Sequence, residues 1–263
     1  MYRTREVKIS ENWLTGIFSL DYEMCLIGGW AVYETVNRSY MEDTGRPYIG
    51  SRDIDIGFHI DPSWNLEQVK SSDYLKLLRH LEKKGFTWVG YRFLKEYDYE
   101  TGKELSKEEM AKKPAFEIVE FYIDPVVDNL HPLMREKLLI NPIDDSLLSQ
   151  IFEKKQVKEV SLSSSIRAII PEPEVLLAMK LNTIDSRTKD HKRIKDIADI
   201  FALIWHSESD LHEIRAKVTT IKDINEIEGT IRRFKMNELK QVSNIIDYDT
   251  REIINILNEF IKP

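Results

Sequence analysis

The chain has 263 residues, 38 Lys and Arg against 45 Asp and Glu, a formal charge of −7 and a pI near 5.5. That length accommodates one large domain or two modest ones, and the acidity argues against a protein that coats nucleic acid by charge alone, while leaving room for a local basic patch. One cysteine, Cys25, excludes an intramolecular disulfide and reads as a small core residue in a reducing compartment; no run is long enough to span a bilayer, and the polar opening MYRTREVKIS has no signal-like apolar segment, so the expectation is a cytoplasmic protein with no membrane partner.

In chain order, Leu14, Ile17 and Phe18 recur at helical spacing and predict a short helix over residues 10–20, followed by an apolar strand that ends at Ile27. Gly28 and Gly29 stop that strand and residues 30–40 return to helical spacing, so the glycines stand where a strand hands over to a helix. The turn-rich segment 41–51, MEDTGRPYIGS, predicts an exposed loop. Beyond it Ile54, Ile56, Phe58 and Ile60 alternate with Asp53, Asp55, Gly57 and His59, which sets both carboxylates on one strand face and the apolar side chains on the other. His59 shares the acid face further along, where a hydrogen-bonded histidine is the simpler reading than a ligand.

An apolar stripe of Tyr74, Leu75, Leu77, Leu78 and Leu81 predicts a helix over 65–84 with Gly85 as its cap. Residues 86–94 read as a strand and the polar tract 95–113 as a hairpin end or loop. FEIVEFYID, 116–124, is the next strand, expected to end at Pro125; Val119, Phe121 and Ile123 share one face, and Glu120, Tyr122 and Asp124 the other. It is a candidate neighbour for the strand that carries Asp53 and Asp55. Residues 128–150 are mixed, and 157–162 and 166–170 read as terminal strands of the same sheet. At Pro171-Glu172-Pro173 the character changes, and helical spacing prevails to the end, most clearly through Ile194, Ile197, Ala198, Phe201, Ile204 and Trp205. The expected organisation is α/β (α+β): residues 1–170 as a mixed sheet flanked by helices, and 171–263 as a helical domain.

A strand, two glycines and a helix start offer close backbone approach and free amides to phosphate oxygens, although a tight turn alone would use the same residues. The carboxylate pair adds chemistry. Two acids on one face repel unless a cation lies between them. With a third acid from an adjacent strand they can hold one or two magnesium ions roughly 4 Å apart, the arrangement of phosphoryl or nucleotidyl transfer. Lys180 shares the apolar stripe of its helix with Leu176 and Ile184, so it either snorkels or meets a phosphate. Arg187, Lys189, His191, Lys192, Arg193 and Lys195 form the densest basic patch. Asp196 and Asp199 suit the first turns of a helix, and Asp196 has the alternative role of a base for an acceptor hydroxyl. Zinc-type Cys/His spacing, a GxSxG elbow and a P-loop are all missing from the sequence.

Ile27-Gly28-Gly29, Asp53-Ile54-Asp55 and a later strand acid resemble the nucleotidyltransferase superfamily that includes polymerase beta. That resemblance implies magnesium-dependent transfer of NMP from an NTP such as ATP to an acceptor hydroxyl, with two Mg2+ ions held by Asp53, Asp55 and Glu120, and Asp124 as the reserve acid. It further implies that Gly28, Gly29, Ser51, Arg52, Lys180, Arg187 and Lys195 bind the nucleotide. PEVLLAMKLNTIDSRTKDHKRIKDIADIFAL resembles the helical half of AbiEii-type nucleotidyltransferases, many of them toxins, which implies a tRNA or protein acceptor and an antitoxin partner. Ile27-Gly28-Gly29-Trp30-Ala31-Val32 looks instead like the opening of aminoglycoside and lincosamide nucleotidyltransferases, which implies a small-molecule acceptor. A third reading is a catalytically idle nucleotide-binding or interaction module. Two departures stand out: residues 30–52 are a longer spacer than is usual in the family, and the third acid is a glutamate where the family more often has aspartate.

Overall fold

The computed structural model describes residues 5–262; the first four residues, which belong to the polar N-terminal stretch, and Pro263 lie outside the described residues. Among the described residues the sheet has eight strands: β1 (Cys25–Ile27), β2 (Ile54–Phe58), β3 (Thr87–Val89), β4 (Arg92–Asp98), β5 (Ile118–Val127), β6 (Ile143–Asp144), β7 (Val157–Ser161) and β8 (Arg167–Pro171). Their order is β3-β4-β5-β2-β1-β8-β7, with β6 beside β5. The sheet is mixed: β2 runs parallel to β5, and β1 parallel to β8, while β1 against β2 and β4 against β5 are antiparallel. The fold is thus a mixed α/β sheet flanked by helices, as the alternating and helical segments of the sequence led us to expect.

Period-2 alternation explains the sheet's inner face. Ile54, Ile56, Val119, Phe121 and Ile123 are buried, and helix α1 (Arg5–Phe18) lays Trp13 against Phe86 and Phe121 there. Strand β5 departs from expectation by continuing past Pro125 to Val127. The registers give the reason. Pairing with β4 stops at Ile123 and pairing with β6 starts at Val126, so Pro125 faces only β2, opposite Ile56, and its missing N–H breaks no second ladder.

Helix α2 (Gly28–Thr44) begins directly on the glycine pair and absorbs the first residues of the expected loop. The rest of that segment is not all exposed, since Tyr48 is buried. The helix expected over 65–84 is two, α3 (Leu66–Ser71) and α4 (Asp73–Lys83). Extended backbone at Ser72 interrupts it, and the Ser72 hydroxyl accepts the Leu75 N–H at 3.4 Å as the cap of the second. Three short helices follow, α5 (Lys107–Met110), α6 (Pro132–Leu138) and α7 (Leu148–Phe152); α6 lies inside the stretch whose pattern is mixed and α7 begins at its end.

The described residues up to Trp30, with Gly50–Ile170, make one compact unit that holds the sheet. Ala31–Ile49 and the described residues from Pro171 onward make another. The second unit is helical: α8 (Pro173–Thr183), with Pro173 in its first turn, packs on α9 (Asp190–His206) and α10 (Leu211–Thr219), and α11 (Ile224–Arg232), α12 (Met236–Ile246) and α13 (Thr250–Ile261) complete it. The Tyr40 phenol donates to the Ile246 carbonyl and Arg46 pairs with Asp247 at 2.7 Å, which ties the 31–49 segment to α12. Among the described residues no helix is long and apolar enough to cross a membrane.

Candidate functional site

The sheet registers draw the glycines and acids into one row. Ile27 pairs with Asp55 across β1 and β2, and Asp55 pairs with Asp124 across β2 and β5. Gly28 follows Ile27 with φ +66°, a conformation that an L side chain adopts only with strain. A Cβ there would also lie 2.0 Å from Asp55 Oδ2 and 2.9 Å from Asp55 Cβ. Gly29 is similarly close to Ser51, whose Oγ would lie 2.8 Å from an added Cβ. The glycine turn and the segment 51–55 are therefore in direct contact, and the glycines are needed because Asp55 packs on Gly28 and Ser51 on Gly29.

Asp53 precedes β2, and its carboxylate meets Arg92, whose Nη2 donates to Oδ2 at 3.1 Å. The same guanidinium grips Asp124 with two bonds, Nε to Oδ1 at 2.6 Å and Nη2 to Oδ2 at 2.8 Å. Burial works against the charge on Arg92, but the Asp124 and Asp53 carboxylates outweigh it and hold the guanidinium above its ordinary range. Arg52 is exposed. Glu120 sits four residues before Asp124 at an exposed rung of β5, opposite Glu96 of β4, where it accepts the Tyr122 hydroxyl at 2.9 Å. Burial and that carboxylate push the Tyr122 phenol up to about 12. Burial, with Glu120 facing it, raises the Glu96 carboxyl. The structure thus brings Asp53, Asp55 and Asp124 together with Gly28, Gly29 and Ser51, and sets Glu120 apart from them.

On the sheet unit, His59 pairs through Nδ1 with Asp128, and the Trp30 indole is buried and donates to Ser10 Oγ at 2.7 Å, both within the protein's own fabric. Burial pushes the Cys25 thiol up, in line with a core role.

The helical unit holds a second cluster. Lys180 Nζ pairs with Asp196 Oδ1 at 2.6 Å and Asp199 Oδ2 at 2.8 Å. Arg187 Nε pairs with Asp196 Oδ2 at 2.5 Å, Lys195 pairs with the other oxygen of Asp199, and the Tyr48 hydroxyl donates to Asp199 at 2.9 Å. Lys195 also lies 5.0 Å over the Tyr48 ring. Burial lowers Lys195, while around Lys180 and Asp196 the opposite charges outweigh burial, raising the lysine and lowering the aspartate.

Arg92 and Tyr48 are the residues that sequence reading passed over. Strand parity offered a partial signal for Arg92, since it precedes the buried Phe93 by one position and so belongs to the polar face. Nothing local marks Tyr48, whose partner is 151 positions away.

A metal ion implied by three acids does not fit these side chains as they are arranged. The cation between Asp53 and Asp124 is the Arg92 guanidinium, and among the described residues no group of three or more His, Cys, Asp or Glu side chains converges to hold an ion.

No family model matches the chain, and no curated protein matches it. A solved structure similar to it is the crystal structure of an antigenic nucleotidyltransferase-like protein from Paracoccidioides brasiliensis, 12% identical, covering 86% of this chain and 91% of that chain with a TM-score of 0.39.

Proposed function

We propose that the sheet unit is a nucleotidyl-transfer site that takes a nucleoside triphosphate and moves its NMP to an acceptor hydroxyl. The observation that carries this reading is the single row Ile27, Asp55, Asp124 across three adjacent strands, with the Gly28–Gly29 turn and the start of α2 at its end. In this reading Asp124 takes the place expected for Glu120, because its rung aligns with Asp55. Backbone amides at the head of α2 face the phosphate oxygens, and Arg92 supplies fixed positive charge. The acceptor oxygen bonds to the α-phosphorus, the bond to the pyrophosphate oxygen breaks, and the acceptor proton passes to a carboxylate of the row. Asp196 is proposed to be structural, since Lys180 and Arg187 depress its basicity.

Incubation with each α-labelled NTP and an RNA, protein or aminoglycoside acceptor tests this and separates the acceptor classes, including those of toxin-like enzymes. Wild-type protein is expected to transfer label, with at least a hundredfold loss in Asp53→Asn/Asp55→Asn, following the usual scale for removing charge-stabilising groups. Equal transfer by both proteins would remove the acids from the site. The occupation of Asp53 and Asp124 by Arg92 favours one second reading, a nucleotide-binding module without turnover, for which calorimetry would record NTP binding and no pyrophosphate release.

A further inference from the structure

Arg92 opens β4 just after the turn at Gly90, one residue beyond the Phe93–Ile123 pair that registers β4 on β5. Antiparallel alternation therefore sets it level with Asp124 and on the face of Tyr122. Its guanidinium is held from three directions: twice by Asp124, once by Asp53, and by the Tyr122 ring, whose centroid lies 4.0 Å from Cζ. Tyr122 is itself anchored on Glu120. A planar fork matched to two carboxylates and stacked on an aromatic face is a built arrangement that lysine could not reproduce.

We propose that Arg92 is the resident counter-ion of the Asp53–Asp124 pair and competes directly with divalent cations for their oxygens. The geometry makes the two occupants mutually exclusive. A magnesium ion bridging these acids would need carboxylate oxygens at about 2.0–2.1 Å, inside the space that the guanidinium nitrogens fill. Glu120 and Tyr122 then acquire a role as positioning residues, because they hold the competitor in place. Ion binding alone reads this out, so the inference stands or falls separately from nucleotide transfer.

Titrating the full chain with Mn2+ in the absence of nucleotide, with free ion followed by its paramagnetic signal, tests the competition. Wild-type protein is expected to bind weakly, Arg92→Ala and Arg92→Gln at least tenfold more tightly, and Arg92→Ala/Asp124→Asn to lose that gain. Affinity equal in wild type and both Arg92 variants, or a gain that survives loss of Asp124, would overturn the proposal. Should neither variant fold, the wild-type protein decides: on Mg2+ titration the Arg92 Nε–H resonance is expected to shift in step with ion occupancy, and saturation that leaves that resonance unmoved would overturn it equally.

Discussion

Two clusters in this molecule pair cations with two aspartates, and they differ in how closed they are. Lys180 bridges Asp196 and Asp199 with side chains 10%, 4% and 0% exposed. Arg92 bridges Asp53 and Asp124 with side chains 19%, 22% and 13% exposed. In the helical cluster Arg187, Lys195 and Tyr48 occupy the remaining oxygens, so the charges are committed to one another. The sheet cluster lies on the polar face of its strands, beside a glycine turn, and its acids are partly exposed. In our proposal the same chemistry serves as internal scaffolding in one place and as an exchangeable site in the other.

The largest effect expected is in the helical cluster. Lys180→Met leaves two buried carboxylates short of a cation and is expected to cost about 3–5 kcal/mol, read from urea denaturation. The sign with pH is specific. Asp196 is held below its ordinary value of 3.8, so its stabilisation is present above about pH 4 and is lost as pH falls through the lower folded value. The penalty of Lys180→Met should therefore shrink on acidification; a penalty that is constant or grows below pH 4 would break the scaffolding reading. Gly28→Ala is next, at about 1–2 kcal/mol for forcing an L side chain to positive φ, and the displaced Asp55 should abolish label transfer. Full transfer by the variant would detach the turn from the site. Arg92→Ala is expected to be mildest for stability, about 1 kcal/mol, because its acids can be rehydrated. A loss as large as that of Lys180→Met would erase the contrast between the clusters.

Much of the fold is legible in the sequence because alternation and helical spacing are local. The face shared by Val119, Phe121 and Ile123, the strand that ends in the glycine pair, and the proline at the head of α8 all follow from neighbours within a few residues. Register does not. Period-2 parity sets Glu120 and Asp124 on the same face but carries no signal for which of them lines up with Asp55, since that is decided by pairing between distant strands. Arg92 escaped for a related reason: its importance comes from Asp124 across the ladder and Asp53 beyond it, not from its own segment. The break at Ser72 shows the opposite limit. An apolar stripe continues across it, and only the capping chemistry of a serine marks the boundary.

The central claim, that the sheet row is where a nucleotide binds, is met most directly by amide hydrogen exchange with and without a non-hydrolysable NTP. Slowed exchange is expected at the amides of Gly28, Gly29 and Trp30 and around Asp53 to Asp55 and Tyr122 to Asp124, with α9 unchanged. Slowing confined to the Asp190–His206 helix, with the glycine turn unaffected, would contradict the account.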